Sequence, residues 1–243
     1  MSGMPTAPYQ DFAKTKIGFE FSNIDLLITA LTHRSYVNEH KKSVSEHNER
    51  LEFLGDAVLE LVVTDFLFNN YREPEGILTS WRAALVRTES IGAAGDLLGY
   101  EPLVRMSRGE KQGSDRARQQ ILANAFEAVI GAVYLERGYE DAATFIHQHI
   151  TSKLDAILVA GTWRDAKSHL QEVSQRYDSQ TPQYRVIEEV GPDHDKIFTL
   201  GVYVHDTLLG KGSGPSKQVA QQQAAQTALE TYAKREAGHD KTD

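Results

Sequence analysis

His47-Asn-Glu-Arg-Leu-Glu-Phe-Leu-Gly-Asp-Ala-Val-Leu-Glu60 is the stretch on which the reading of this chain turns. Helical residues advance by about 100° each, so positions three, four and seven apart share a face. Glu49, Glu52 and Asp56 stand at those offsets, and Glu60 lies one turn further along. Leu51, Leu54, Val58 and Leu61 run beside the acids as apolar contacts. A solvated helix face usually interleaves its acids with Lys or Arg, each pair adding about 0.2–0.5 kcal/mol. Here the stripe abuts apolar residues and contains Gly55, about 1 kcal/mol poorer than Ala in a helix. Carboxylates crowded beside a core make physical sense if a hard divalent cation holds them together. A plain solvated face is the other reading of these residues.

Ile121 to Leu135 is a strongly apolar helical run with two polar side chains in its middle, Asn124 and Glu127. They are three apart and share a face. A carboxylate in such a run is costly to bury unless something pairs with it, and no Lys or Arg lies within one turn of Glu127. Glu127 either reaches water at a helix edge or faces the first acidic helix with Mg²⁺ between them.

The segment His47 to Leu59 resembles the signature of the bacterial ribonuclease III family, and Ala30-Leu-Thr-His-Arg-Ser-Tyr36 resembles the segment that precedes it there. Arg108-Gly-Glu-Lys-Gln-Gly113 and Ile121 to Leu135 are similar to later family blocks, in the same order. The resemblance covers nearly the whole chain. It implies that Glu52, Asp56, Asn124 and Glu127 form a metal site, with Asp56 and Glu127 catalytic, and that Glu49 and Glu75 line the same cleft in support. It also implies a homodimer in which Phe53 places its ring in a socket on the partner. Asn124 departs from the family pattern, which usually carries Asp there. His33 and His47 lie near the motif, but a metal mechanism needs no imidazole, and both are read as structural.

Composition agrees with an intracellular enzyme. The chain has 243 residues, enough for one or two domains of about 100–150 residues, and 40% of them are hydrophobic. No apolar run approaches the roughly 20 residues that cross a membrane, and no signal peptide is visible, so a cytoplasmic location is expected. The absence of cysteine excludes disulfides and thiolate metal sites. Lys and Arg total 26 against 34 Asp and Glu, a net charge of −8. Nucleic-acid binders are more often basic, because phosphate contacts release counterions. The acidic balance therefore predicts weak, strongly salt-sensitive RNA binding.

Residues 10–158 read as consecutive helices, with apolar spacing over Ile24 to Leu31, Leu51 to Phe68, Leu78 to Leu98, Ile121 to Leu135 and Ala142 to Leu158. Residues 1–9 are expected to be a disordered start, 159–163 a linker and 237–243 a disordered tail. Over 164–236 the period changes. Tyr184 to Val190 is a candidate strand, Phe198, Leu200, Val202 and Val204 alternate over a second, and Leu208 to Lys211 is a third. Gly210, Gly212 and Gly214 are expected to mark a turn-rich exit. Helices over Ala166 to Tyr177 and Ser216 to Ala233 bracket these strands, the second with an alanine stripe that permits close approach to a sheet, and with Gln221-Gln-Gln223 on its polar side.

This α-β-β-β-α order resembles the double-stranded-RNA-binding domain that follows the helical nuclease domain in the family. The resemblance implies that Gln171 and Glu172 face the minor groove, that His194 reaches the adjacent one, and that Ser216, Lys217 and Lys211 serve the phosphates. The implied activity is Mg²⁺-dependent hydrolysis of both strands of double-stranded RNA, with Mn²⁺ as a substitute. The ends expected are 5′-phosphate and 3′-hydroxyl, and the substrates ribosomal, messenger and transfer RNA precursors. Hard ions held by such acids activate water and stabilise the leaving oxygen. The alternative is a non-cleaving double-stranded-RNA-binding protein impaired at Asn124. A di-iron helical protein is discounted, since the helical region lacks Glu-x-x-His pairs.

Overall fold

Leu51, Val58, Leu59, Val62, Val63 and Leu67 recur with the period of one helix face, and all six are buried along α4 (Glu49–Asn70). Leu61, read as part of that face, points outward and is 58% exposed. The computed structural model describes residues 6–161, 163–192 and 196–239 and divides into two compact units, Met1–Trp163 and Arg164–Asp243.

Among the described residues every named element of the first unit is a helix or helical turn, and one isolated parallel β-bridge joins Thr32 to Arg105. Before α4 come α1 (Ala7–Phe12), a π-helical turn (Ala13–Ile17), α2 (Ile24–Ala30) and α3 (Arg34–Glu39). After it come α5 (Glu75–Val86), α6 (Thr88–Leu98), α7 (Arg108–Lys111), α8 (Asp115–Arg137), α9 (Tyr139–His149), a 3-10 turn (Thr151–Lys153) and α10 (Leu154–Ala160). α8 is the centre of this unit, with Leu122, Phe126, Val129, Ile130 and Val133 among its buried residues, and α2, α4, α6 and α9 pack around it.

Several boundaries differ from the sequence-based expectation. Leu78 to Leu98 is two helices, because Arg87 is extended (φ −63°, ψ 149°) and α6 starts afresh at Thr88. No Pro or Gly marks that break; each piece buries its own side chains, Trp81 and Leu85 in one, Ile91 and Leu98 in the other. Ala142 to Leu158 is likewise divided between α9, the 3-10 turn and α10. Residues 7–9, expected to be disordered, form the first turn of α1. Tyr9 is buried and its hydroxyl donates to the Leu103 carbonyl at 3.1 Å, while the Phe12 ring meets Tyr100 edge-on. α10 takes in residues 159 and 160 of the expected linker.

The second unit runs α11 (Ala166–Asp178), β1 (Gln183–Val190), β2 (Ile197–Val204), β3 (Thr207–Gly214) and α12 (Lys217–His239), with the strands antiparallel in that order. α12 thus continues to residue 239, past the expected domain end at 236. Leu200, Val202 and Val204 are buried. Val202 and Val204 share one core cluster with Leu170, Ala224, Ala225 and Ala228. The glycines expected to mark an exit lie inside β3. A Cβ on Gly210 would fall 2.4 Å from the Ala224 carbonyl oxygen, and one on Gly212 would fall 2.2 Å from the Ala224 nitrogen. Glycine on the strand and alanine on the helix therefore let α12 rest on the backbone of β3. The glutamines of the biased stretch bind neighbouring elements: Lys167 Nζ donates to Gln221 (2.7 Å), the Ala166 N–H to Gln222 (3.1 Å) and the Ser213 N–H to Gln223 (2.8 Å).

Candidate active site

Gly55 sets the geometry of the acidic cluster. A Cβ there would lie 1.7 Å from the Glu127 carbonyl oxygen, and one on Gly131 would lie 2.3 Å from that of Leu51. α4 and α8 therefore cross backbone against backbone. Glu52 and Asp56 flank Gly55 on α4, and Glu127 lies four residues before Gly131 on α8, so the crossing gathers acids from two separate stretches of sequence. Any larger residue at position 55 would force the helices, and the acids with them, apart.

The gathered charges act on one another. Burial pushes the half-buried Glu127 carboxyl up to about 7, with Asp56, Glu52 and Glu60 adding repulsion. Burial also raises Glu52, helped by Glu49 and Asp56, while a hydrogen bond from Asn124 works in the opposite direction. Glu52 Oε2 is enclosed and has no hydrogen-bond partner. Asn124 is held in turn: Gln120 Nε2 donates to its Oδ1 at 2.7 Å. Among the described residues no three His, Asp or Glu side chains already form a cation shell. The donor set nevertheless suits Mg²⁺: oxygen atoms alone, like charges in repulsion and an orphaned carboxylate oxygen are what a hard cation relieves.

Other residues singled out in the sequence take varied positions. Glu49 opens α4, is exposed and lies 3.4 Å from Arg34 Nη1. Glu75 opens α5 and is exposed, but the charges that act on Glu127 include Glu60 and not Glu75. Glu60 is held by Arg82, whose Nε lies 3.1 Å from Glu60 Oε2 and whose Nη1 donates to Thr64 Oγ1 at 3.0 Å. Glu60 was legible from its helical offset; Arg82 was not, being 22 residues away on another helix. Gln120 precedes Asn124 by one turn, a spacing that signals the pair once Asn124 is suspected. Phe53 is 81% exposed and borders a groove of about 830 Å³ whose walls include Leu26, Leu51, Leu54 and Leu135.

In the second unit Gln171 and Glu172 are exposed on α11. The Ser216 hydroxyl accepts the Val219 N–H at 3.3 Å and so caps α12. Lys217, the first residue of α12, lies 3.1 Å from Glu189 Oε1 and above the Phe198 ring. Lys211 stands between Gly210 and Gly212, which both face α12, so strand alternation turns its side chain to the opposite face of the sheet. The structure does not bring Lys211 together with Lys217. His194 lies outside the described residues.

A family model described as Ribonuclease-III-like matches residues 23–154, and one described as double-stranded RNA binding motif matches residues 166–232. The chain belongs to the ribonuclease III family. Ribonuclease 3 of Listeria monocytogenes (EGD-e) is 44% identical over 88% of this chain and 93% of that protein. The protein of the same name from Geobacillus thermodenitrificans is 46% identical over 93% and 91%. Among solved structures, the nuclease domain of ribonuclease III from Campylobacter jejuni aligns with a TM-score of 0.51 at 40% identity. It covers 57% of this chain and 96% of its own, and is described by flexibility in a region involved in dimer formation. As a member of the ribonuclease III family the chain is an endoribonuclease. Among the described residues no helix is long and apolar enough to cross a membrane.

Proposed function

We propose that this ribonuclease III family member hydrolyses both strands of double-stranded RNA in a Mg²⁺-dependent reaction, leaving 5′-phosphate and 3′-hydroxyl ends. Glu52, Asp56 and Glu127 would hold the cation, with Asn124 as the fourth member of the set and Mn²⁺ as a substitute. The observation that carries this reading is the repulsive cluster at the α4–α8 crossing, where Glu127 is pushed up to about 7 and Glu52 keeps an enclosed oxygen without a partner. Bound Mg²⁺ would supply activation of water and stabilisation of the leaving oxygen. Water oxygen bonds to phosphorus as the bond from phosphorus to O3′ breaks, and O3′ takes a proton. Glu127, about half protonated near neutral pH, gives up its proton when the site fills and thereby completes the negative charge that holds the cation.

The second unit supplies affinity. Gln171 and Glu172 on α11 face the minor groove, and the start of α12 with Lys217 offers positive charge and free backbone N–H groups to a phosphate. Such domains span about 16 base pairs by shape rather than by sequence. Two copies pair through Phe53, its ring entering the groove beside Phe53 of the partner subunit, so that one duplex meets two cutting sites and short 3′ overhangs result. Precursors of ribosomal RNA and structured transcripts in the cytoplasm are the natural substrates of this reading.

The test is cleavage of an end-labelled RNA duplex with and without Mg²⁺, alongside Glu127→Gln. Cleavage should need the divalent ion and fall by several orders of magnitude in the variant, with duplex binding kept within a few fold. Cleavage in excess chelator, or near-normal cleavage by Glu127→Gln at saturating Mg²⁺, would sink the assignment.

A further inference from the structure

Two stretches, Thr32-His-Arg-Ser35 and Ser107-Arg-Gly-Glu110, supply no ligand in the metal reading, yet they bond to each other beside the acidic helix. We propose that His33 is an RNA-contacting residue, whose imidazole gives an Nε2–H hydrogen bond to a phosphate oxygen of the duplex at the rim of the acidic cleft. This inference rests on the double-stranded-RNA reading above and adds a contact to it.

Backbone bonds fix where the ring stands. The Asn48 N–H donates to the Thr32 carbonyl at 2.9 Å, and the Glu52 N–H donates to the Asn48 carbonyl at 2.8 Å, so His33 is held beside the start of α4. From the other side, its own N–H donates to the Arg105 carbonyl at 2.9 Å. Side-chain bonds then fix which ring nitrogen carries the proton. The Ser107 N–H donates to Ser35 Oγ at 3.0 Å, and the Ser35 N–H donates to His33 Nδ1 at 3.3 Å. A backbone N–H only donates, so Nδ1 is an acceptor, and the Ser35 hydroxyl, 2.7 Å away, turns its own proton toward it. The proton of the neutral ring therefore sits on Nε2.

Burial holds the ring below its usual pKa and so uncharged at neutral pH; Arg34 and His47 act the same way, Glu110 and Glu49 the opposite. Among the described residues nothing accepts from Nε2, and it is not closed off from water as His47 Nδ1 is. A nitrogen that carries a proton has no lone pair for a cation, so its partner is an oxygen acceptor. The charged donor beside it, Arg34, lies 3.4 Å from Glu49. An uncharged donor is not drawn into such a pair, and it offers the phosphate a bond where the acids repel it.

Two substitutions separate this contact from a purely structural role, because the two roles rank them oppositely. Asparagine keeps an acceptor near the Nδ1 position, and with it the cap on Ser35, but has nothing at Nε2. Glutamine places an N–H₂ group near Nε2 and gives up the cap. In steady-state cleavage of an RNA duplex by the full chain, His33→Asn should raise KM about tenfold with kcat within twofold, as for a bond made equally before and during the reaction. His33→Gln should recover most of that KM while melting lower. If His33→Asn keeps the KM of the unaltered chain, if it loses kcat alone, or if His33→Gln is no better than His33→Asn, the RNA contact fails. Nitrogen NMR of the unaltered chain needs no variant: the His33 proton should be on Nε2, and its signal should move when a short RNA duplex is added in chelator. A proton on Nδ1, or an unmoved signal, overturns the contact. Failure of the unaltered chain to bind or cut any RNA duplex would overturn the double-stranded-RNA reading itself, and that too is seen without a variant.

Discussion

Glu127 keeps its proton to about pH 7 because it is half-buried beside Asp56, Glu52 and Glu60. In the unfolded chain the same group releases its proton near 4.5. The folded state therefore holds the proton more tightly. Its advantage is complete below pH 4.5 and is lost as pH rises to about 7, leaving the metal-free protein penalised above that. One unit is worth about 1.4 kcal/mol, and with the side chain's partial contact with water the penalty comes to roughly 2 kcal/mol. Melting of the metal-free chain should fall between pH 5 and pH 8, and Glu127→Gln should flatten that fall. Since the cation displaces this proton, apparent Mg²⁺ affinity should rise through pH 7; equal affinity at pH 6 and pH 8 would count against the site. Asn124→Asp restores a negative charge and a ligand of the family type. It should lower the Mg²⁺ concentration for half-maximal cleavage while RNA affinity stays within a few fold. An unchanged or higher Mg²⁺ requirement would contradict that charge argument.

The decisive feature among the elements is the crossing of α4 on α8. Because a Cβ at position 55 would overlap the Glu127 carbonyl, Gly55→Ala must push the helices apart. Overpacking of a tight core typically costs about 1–3 kcal/mol, and the contact here is backbone on backbone, so a loss of roughly 3 kcal/mol or more is expected. Denaturant unfolding should show that loss together with weaker metal binding; a variant as stable as the parent would contradict the crossing. The outward face of α4 behaves differently. Phe53, Leu61 and Phe68 are exposed on it, so truncating Phe53 removes little burial within one chain. Phe53→Ala should stay folded, its stability within about 0.5 kcal/mol as for other surface changes, yet sediment as a monomer at micromolar concentration. If it remains a dimer, the interface role of Phe53 fails.

For the whole molecule, two separate units and a net charge of −8 make RNA affinity a matter of a few well-placed cations. A fragment comprising Met1–Trp163 should still cut duplex RNA at low salt, with the full chain needed as salt rises and counterion release weakens binding. A folded, dimeric fragment inactive at every salt and Mg²⁺ concentration would contradict this division. Lys217 is partly neutralised by Glu189 at 3.1 Å. An exposed pair of this kind is worth up to about 1 kcal/mol, so Glu189→Gln should tighten duplex binding by at most about fivefold. Lys217→Ala should weaken it and make it less salt-dependent. Equal binding by all three proteins would remove Lys217 from the RNA face.

Much of this is local and therefore legible along the chain. The acids at 49, 52 and 56, the pair at 124 and 127 and the alternation of Leu200, Val202 and Val204 follow from helix and strand periods, which each segment carries by itself. The alanine stripe of α12 announces close packing for the same reason. Distances between elements are set by packing partners far away in sequence, and there the reading fell short. Gly55 reads as a poor helix former, yet its place is decided by Glu127 some 70 residues on. Gly210 and Gly212 read as turn residues until α12 lies on them. Arg87 breaks a helix without any breaker, because Trp81 and Ile91 pack in separate helices. Arg82 meets Glu60, and Lys211 parts from Lys217, only through tertiary placement. Residue types and spacing determined the chemistry this chain can do. The tertiary structure decided which oxygen atoms share one space, because side chains remote in sequence are brought together only by how closely two backbones can approach.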